Sequence, residues 1–249
     1  MKKLLLLLLL LMLPTPSFAA WTFVQSSTGR NSTLCGSGGD DDVVTSTAAN
    51  FTGADTLFAI TGGAEDVAGD PVITDSVGGN TWVEVVQGTN TGGTHSRIYR
   101  ASSASVSSSM TVTATISGQI ACMGLVVLAF NGGHASPADL NRSNNADGVT
   151  SLQTGATALT PSQNNTLVIA GLSYNHASES MSIDGGFATV IKQDGVSGEN
   201  FGAAASYLIQ TTAASANPTF SWTTSDDPAS TLASFKSAVV GTPYTSQRG

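Results

Sequence analysis

Four glutamates, three histidines and one run of aspartates are the groups in this chain whose types are best suited to chemistry. The glutamates are Glu65, Glu84, Glu179 and Glu199. Glycoside hydrolysis needs two carboxylates facing each other across a cleft, about 5 to 9 Å apart. Residues one or two pleats apart on a strand meet that spacing, and none of the four has an acidic neighbour so placed; Asp66, beside Glu65, points to the opposite face of any strand. No Gly-x-Ser-x-Gly pentapeptide occurs to present a nucleophilic serine on a strained elbow. His95, His134 and His176 lack both the one-turn spacing and the His-Glu-x-x-His pattern of a zinc site, and each reads as a loop histidine. The residues therefore favour binding over catalysis, and no catalytic set is assigned.

Binding chemistry has two candidates. Hard cations such as calcium take clusters of carboxylate and carbonyl oxygens from loops. Asp40-Asp41-Asp42 after Gly38-Gly39 has that composition, as does Asp66 with Asp70, and a solvated acidic turn ahead of a strand is the competing reading. Calcium is the one cofactor the sequence suggests. Asp75 and Asp184 each precede paired glycines, where a carboxylate accepts backbone N–H bonds in a turn. The second candidate is a sugar platform, since a flat ring covers the apolar face of a pyranose while nearby polar groups bond its hydroxyls. Trp82 shares a strand face with Glu84, opposite Val83 and Val85, so this pair is a candidate ligand site; core packing is the alternative for Trp82. Trp222 beside Phe220 reads as core, and Trp21 as the anchor of a first strand.

The elements that position these groups lie behind an export signal. Lys2 and Lys3, the apolar run Leu4 to Leu13 and Ser17-Phe18-Ala19 have the three zones of a signal peptide, residues 1–19, with cleavage expected after Ala19. Ten apolar residues are half of the roughly 20 that a permanent helical span needs, so no membrane insertion is expected after cleavage. A secreted location follows as the expectation, with periplasm and virion as variants. The remaining chain has seven basic and seventeen acidic residues, a formal charge of about −10. Nucleic acid is thereby a poor partner, because phosphate backbones need clustered Lys and Arg, and here only Arg97 and Arg100 fall close together. Charged residues are 10% of the chain, so Ser, Thr, Asn and Gly build the polar surface and leave uncharged polymers open as ligands. In an oxidising compartment Cys35 and Cys122 are a possible disulfide, closing a loop of some 87 residues; two unpaired thiols are the other reading. Such a bridge adds about 4–5 kcal/mol by the chain-entropy estimate.

No stretch keeps a helical period, whereas period-2 alternation and β-branched runs recur between Gly, Asn, Asp and Ser turns. Met110, Val112, Ala114 and Ile116 share one strand face, with Thr111, Thr113 and Thr115 on the other. Ile120 to Phe130 is apolar nearly throughout and reads as a central strand covered on both sides. A faint internal repeat relates residues 56–130 to 166–236. Thr56-Leu57-Phe58-Ala59-Ile60 answers Thr166-Leu167-Val168-Ile169-Ala170, and Tyr99 answers Tyr207. Val112 and Ala114 answer Phe220 and Trp222, and Leu128-Ala129-Phe130 answers Ala233-Ser234-Phe235. Five strands with one apolar face cannot bury it alone, so the halves are expected to pack face to face. The expected fold is all-β: a single jelly-roll-like sandwich over 20–240, about 12–14 antiparallel strands in two pseudo-symmetric halves, with a polar tail at 241–249. Residues 131–163 read as the connection, with an edge strand near 151–156.

The order Thr56-Leu57-Phe58-Ala59, Asp75 to Trp82, Arg97 to Ala101, Met110 to Ile116 and Gly124 to Phe130 resembles a group of Gly/Thr-rich secreted or phage-encoded domains, jelly-roll sandwiches of the concanavalin A-like kind. The similarity runs over nearly all of the chain after the signal. Its motifs are strand cores and turns, so it implies the fold and brings no catalytic residues. Three functions are weighed: a non-catalytic secreted recognition or adhesion module for a glycan or cell-surface polymer, a structural protein of a phage virion or cell surface, and a glycan-degrading enzyme without a recognised motif. The first accords best with export, uncharged polar loops and the missing catalytic pairs.

Overall fold

Runs of β-branched and aromatic residues, too apolar for an exposed strand, form the centre of the molecule. The computed structural model describes residues 17–30, 42–65, 70–117, 121–176, 179–195 and 201–240, and its regular elements are antiparallel strands. After β1 (Ser17–Phe18), the first half runs through β2 (Thr22–Arg30), β3 (Asp42–Thr45), β4 (Thr56–Glu65), β5 (Val72–Asp75), β6 (Val83–Thr89), β7 (Thr94–Ser102), β8 (Val112–Ile116) and β9 (Ala121–Asn131). The second half runs through β10 (Gly133–Asn145), β11 (Val149–Gln153), β12 (Thr166–Asn175), β13 (Ser182–Ile183), β14 (Ile191–Gln193), β15 (Phe201–Gln210), β16 (Thr219–Asp226) and β17 (Ala229–Ser237). β18 (Val239–Val240) pairs with β1 in a two-residue antiparallel ladder.

Each half contains one large and one small sheet. The first has β2-β9-β4-β7-β6 and β3-β8-β5; the second has β10-β17-β12-β15-β14 and β11-β16-β13. Counted within its half, each large sheet is ordered 1-8-3-6-5 and each small sheet 2-7-4, a jelly-roll-like winding. The chain is an all-β sandwich in two pseudo-symmetric halves, and the two five-stranded sheets meet face to face. β4 lies on β12, β15 on β9, β17 on β7, β10 on β6 and β14 on β2, as an approximate two-fold through β4 and β12 requires. The three-stranded sheets cover the outer faces, so four layers are stacked. Their short strands and the terminal ladder raise the number above the 12–14 read from the sequence, to eighteen among the described residues.

Strand alternation explains three separate cores. On β9, Leu125, Val127 and Ala129 enter the first half's own core, while Val126, Leu128 and Phe130 enter the seam between halves. On β12, Val168, Ala170 and Leu172 enter the second half's core, while Leu167 and Ile169 face the seam. Such strands are apolar at every position because both faces are covered. The seam is aromatic at one end, where Phe58 and Phe235 approach to 4.5 Å and Phe23 stacks on Tyr207 at 5.0 Å. There the buried Trp21 donates its Nε1–H to the Phe235 carbonyl at 3.1 Å, fixing the start of β2. Farther along β4, Gly62 and its β9 partner Gly124 face Gly202 and Ala203 of β15, and backbones approach closely.

The internal repeat is real but begins earlier than 56 and 166, because β2 and β3 answer β10 and β11. The segment 131–163 is accordingly no mere connection: it carries β10 and β11. Two of the residue pairings are also corrected. Phe58 faces the seam while Val168, its expected counterpart, faces the second core; Tyr99 packs in the first core while Tyr207 packs in the seam. A one-residue slip moves every side chain to the other face, so β4 answers β12, and β7 answers β15, one residue out of the expected register. Val112 and Ala114 with Phe220 and Trp222, and Leu128 and Phe130 with Ala233 and Phe235, do keep equivalent faces.

Candidate functional site

The Trp82 and Glu84 neighbourhood starts at a turn. Asp75 ends β5, and its Oδ1 accepts the backbone N–H groups of Val77 at 3.1 Å and Gly78 at 2.9 Å. Gly78 and Gly79 follow with φ of 74° and 82°, conformations that favour glycine. The other carboxylate oxygen accepts the Trp82 Nε1–H at 3.0 Å. Trp82 is half-buried and packs against the first core, so its indole is held by a turn as well as by burial.

Glu84 lies opposite Tyr99 in the β6–β7 ladder. The core-facing row of β7 is His95, Arg97, Tyr99 and Ala101. The Arg97 side chain is 3% exposed; its Nη2 contacts Asp70 Oδ1 at 2.9 Å, and its Nε lies 3.7 Å from Glu84 Oε2. Asp70 is 75% exposed and Glu84 33%, so the buried guanidinium holds two carboxylates at the surface. Burial pushes the Tyr99 phenol well above its ordinary value, with Arg97 opposing and Glu84 reinforcing the shift. Burial, and then the charge of Arg97, pull the His95 imidazole below its ordinary value against the pull of Asp70. A permanent cation sits against both acids and leaves fixed oxygen acceptors outside. On the same face of β15, Gly202, Ala204, Ser206 and Leu208 carry no charge, which makes the arginine a property of the first half alone.

The other sequence candidates fall elsewhere. Asp40, Asp41, Asp66, Glu199 and Cys35 lie outside the described residues; the backbone of Asp42 pairs with Ile116 in β3. Asp70 is engaged by Arg97. Among the described residues no group of three His, Cys, Asp or Glu converges as metal ligands do. His134 Nδ1 accepts the Ser136 N–H at 3.0 Å, and His176 Nε2 lies 3.2 Å from the Ser225 carbonyl. Cys122 is disulfide-bonded. Glu179 is buried and accepts both the backbone N–H of Thr223, at 3.0 Å, and its hydroxyl. Burial opposes its ionisation, but bonds from Thr223 and Thr224 and the charge of His176 prevail and lower its pKa.

Sequence patterns missed a second cation. Arg97 and Arg100 are three residues apart on β7, an odd spacing that sends them to opposite faces. Arg100 points to the seam, where it lines an open cavity of about 190 Å³ with Thr81, Val83, Ser102, Ala135 and Ser136. The walls come from both halves, with Ala135 and Ser136 in the irregular first stretch of β10. Arg100 Nη1 donates to Ser102 Oγ at 2.6 Å, and Nε, shielded from water, has no acceptor. Leaving such a donor unmet costs about 1–3 kcal/mol. No acidic partner faces Arg100 among the described residues. The nearness of the two arginines in the sequence was the available signal.

Each half also turns a hydroxyl row outward. Thr45, Thr113 and Thr74 are in register across β3, β8 and β5, with Thr45 and Thr113 oxygens 3.0 Å apart. Ser151, Ser221 and Ser182 are in register across β11, β16 and β13. No charged side chain stands in either row.

Comparison with known proteins finds no family model that matches the chain, and no match among the curated proteins. No helix among the described residues is long and apolar enough to cross a membrane.

Proposed function

We propose that the protein is a secreted, non-catalytic recognition or adhesion module for glycans. The observation that carries this reading is the pair of uncharged hydroxyl rows, one on each outer sheet. Strands about 4.8 Å apart hold the hydroxyls at a regular spacing without costly ordering on binding. A neutral polymer meets no charge there and exchanges its hydration for hydroxyl partners, whereas an ionic partner finds none of its own. Glu84 and Asp70, oriented by Arg97, add fixed acceptors for sugar hydroxyls. The Lys2-to-Ala19 signal pattern and the resemblance to secreted jelly-roll domains accord with this role. The test is a glycan array with the chain from Ala20 onward, with and without calcium, followed by product analysis of each hit. Retention without cleavage, weakened by Thr113→Lys in the middle of one row, is expected. Cleavage would overturn the reading in favour of a glycan-degrading enzyme, and silence in favour of a structural protein of a virion or cell surface.

A further inference from the structure

We infer that the cavity between the halves at Arg100 is a binding site for the carboxylate of an acidic sugar. The inference rests on the glycan reading and names the ligand class for this one site. Arg100 is a seam-facing cation on β7, whereas the seam-facing positions of β15 are Ala203, Ala205, Tyr207 and Ile209. Arg100 sits partly exposed at the edge of two apolar sheets with no acid against it among the described residues, so its charge is open to an anion.

The walls describe that anion. Arg100 offers a planar fork of donors, of which Ser102 accepts one. Thr81, Ser102 and Ser136 carry hydroxyls that both donate and accept. Val83 and Ala135 give an apolar patch for the C–H face of a pyranose. A volume of about 190 Å³ is below the roughly 300–1,000 Å³ of pockets that enclose whole drug-sized ligands, so it suits one sugar residue. One arginine in a strongly acidic chain balances a monoanion such as a uronate; a phosphate dianion calls for more cations. Long-range repulsion from the acidic surface is screened beyond about 8 Å at physiological salt, so a short-range fork decides the affinity.

The test titrates the full mature chain with methyl glucuronide, methyl glucoside, acetate and inorganic phosphate, followed by NMR. Saturable binding of the glucuronide is expected, with the glucoside weaker by about tenfold or more because it lacks the charge-assisted bond, which is worth at least that factor, and acetate weaker because it lacks the ring that meets Val83 and Ala135. Arg100→Gln should weaken the glucuronide by a similar factor without altering retention of neutral glycans on the array. Because Arg100 is partly buried, Ser136→Asp at the exposed opposite wall provides a second variant: it places a carboxylate beside Arg100 from the other half and should abolish glucuronide binding. No saturable glucuronide binding, affinity unchanged in both variants, or acetate or phosphate equal to the glucuronide would overturn the assignment. Neutral glycans retained without glucuronide binding would leave the broader reading standing, whereas loss of both would sink it too.

Discussion

Substituting Gly62 by alanine should loosen the seam measurably. A Cβ at position 62 would stand 2.4 Å from the Gly202 carbonyl oxygen, 3.0 Å from Ala203 Cα and 3.1 Å from Ser173 Cα, all backbone atoms of the second half. Ordinary contact begins near 3.4 Å, so the sheets must part locally by about 1 Å. A gap of 0.5–1 Å forfeits roughly a quarter to a half of each contact's dispersion energy along the opened stretch. Overpacking of this kind costs about 1–3 kcal/mol. For a chain of this size that is a fall in Tm of roughly 2–12 °C, read by thermal denaturation. Gly124→Ala meets the same strand, with a Cβ 2.5 Å from Ala203 N. One displacement relieves both clashes, so the double variant should lose less than the summed losses of the two singles. A Gly62→Ala protein melting with the wild type would refute the close approach of β4 and β15.

Two further outcomes follow from buried groups. Glu179 has a folded pKa below its ordinary value of 4.5, so its stabilising effect is present above the unfolded pKa and is lost as pH falls through the folded one. Glu179→Gln should therefore unfold at lower urea than the wild type at pH 7, with the difference shrinking toward pH 3; an equal difference at both values would contradict this. Cys122→Ser should destabilise by about 2–5 kcal/mol, and dithiothreitol should lower the wild-type Tm by a matching amount while leaving the variant unmoved.

Much of the scaffold was legible where strand period and burial agree. β8 alternates Val112, Ala114 and Ile116 with threonines and lies half-covered, and β9 is apolar throughout because two cores flank it. The outer sheets were harder to see, since β5 has four residues and β13 two, too few for a period to register. β10 escaped for another reason: it is an edge strand with two register shifts, built from Asn, Ser, Arg and Asp, and its polar face hides the pairing with β17. Locally repeated Thr-Leu sequences misled the alignment of β4 with β12, where only the covered faces reveal the slip. At the site, Trp82 and Glu84 were legible as sharing a face. The grip of Arg97 on Asp70 was not, because those residues are 27 positions apart, and the Arg100 cavity needs walls from both halves.

The face-to-face seam can be measured directly. Ser96 Oγ on β7 and Thr231 Oγ1 on β17 lie 3.1 Å apart, both buried, with one residue in each half. The Ser96→Cys, Thr231→Cys double variant should close a new disulfide on mild oxidation, seen in the intact mass as the loss of two hydrogens and in a peptide map as a 96–231 cross-link. Two thiols that stay free in folded, oxidised protein would mean that the large sheets do not face each other in this register.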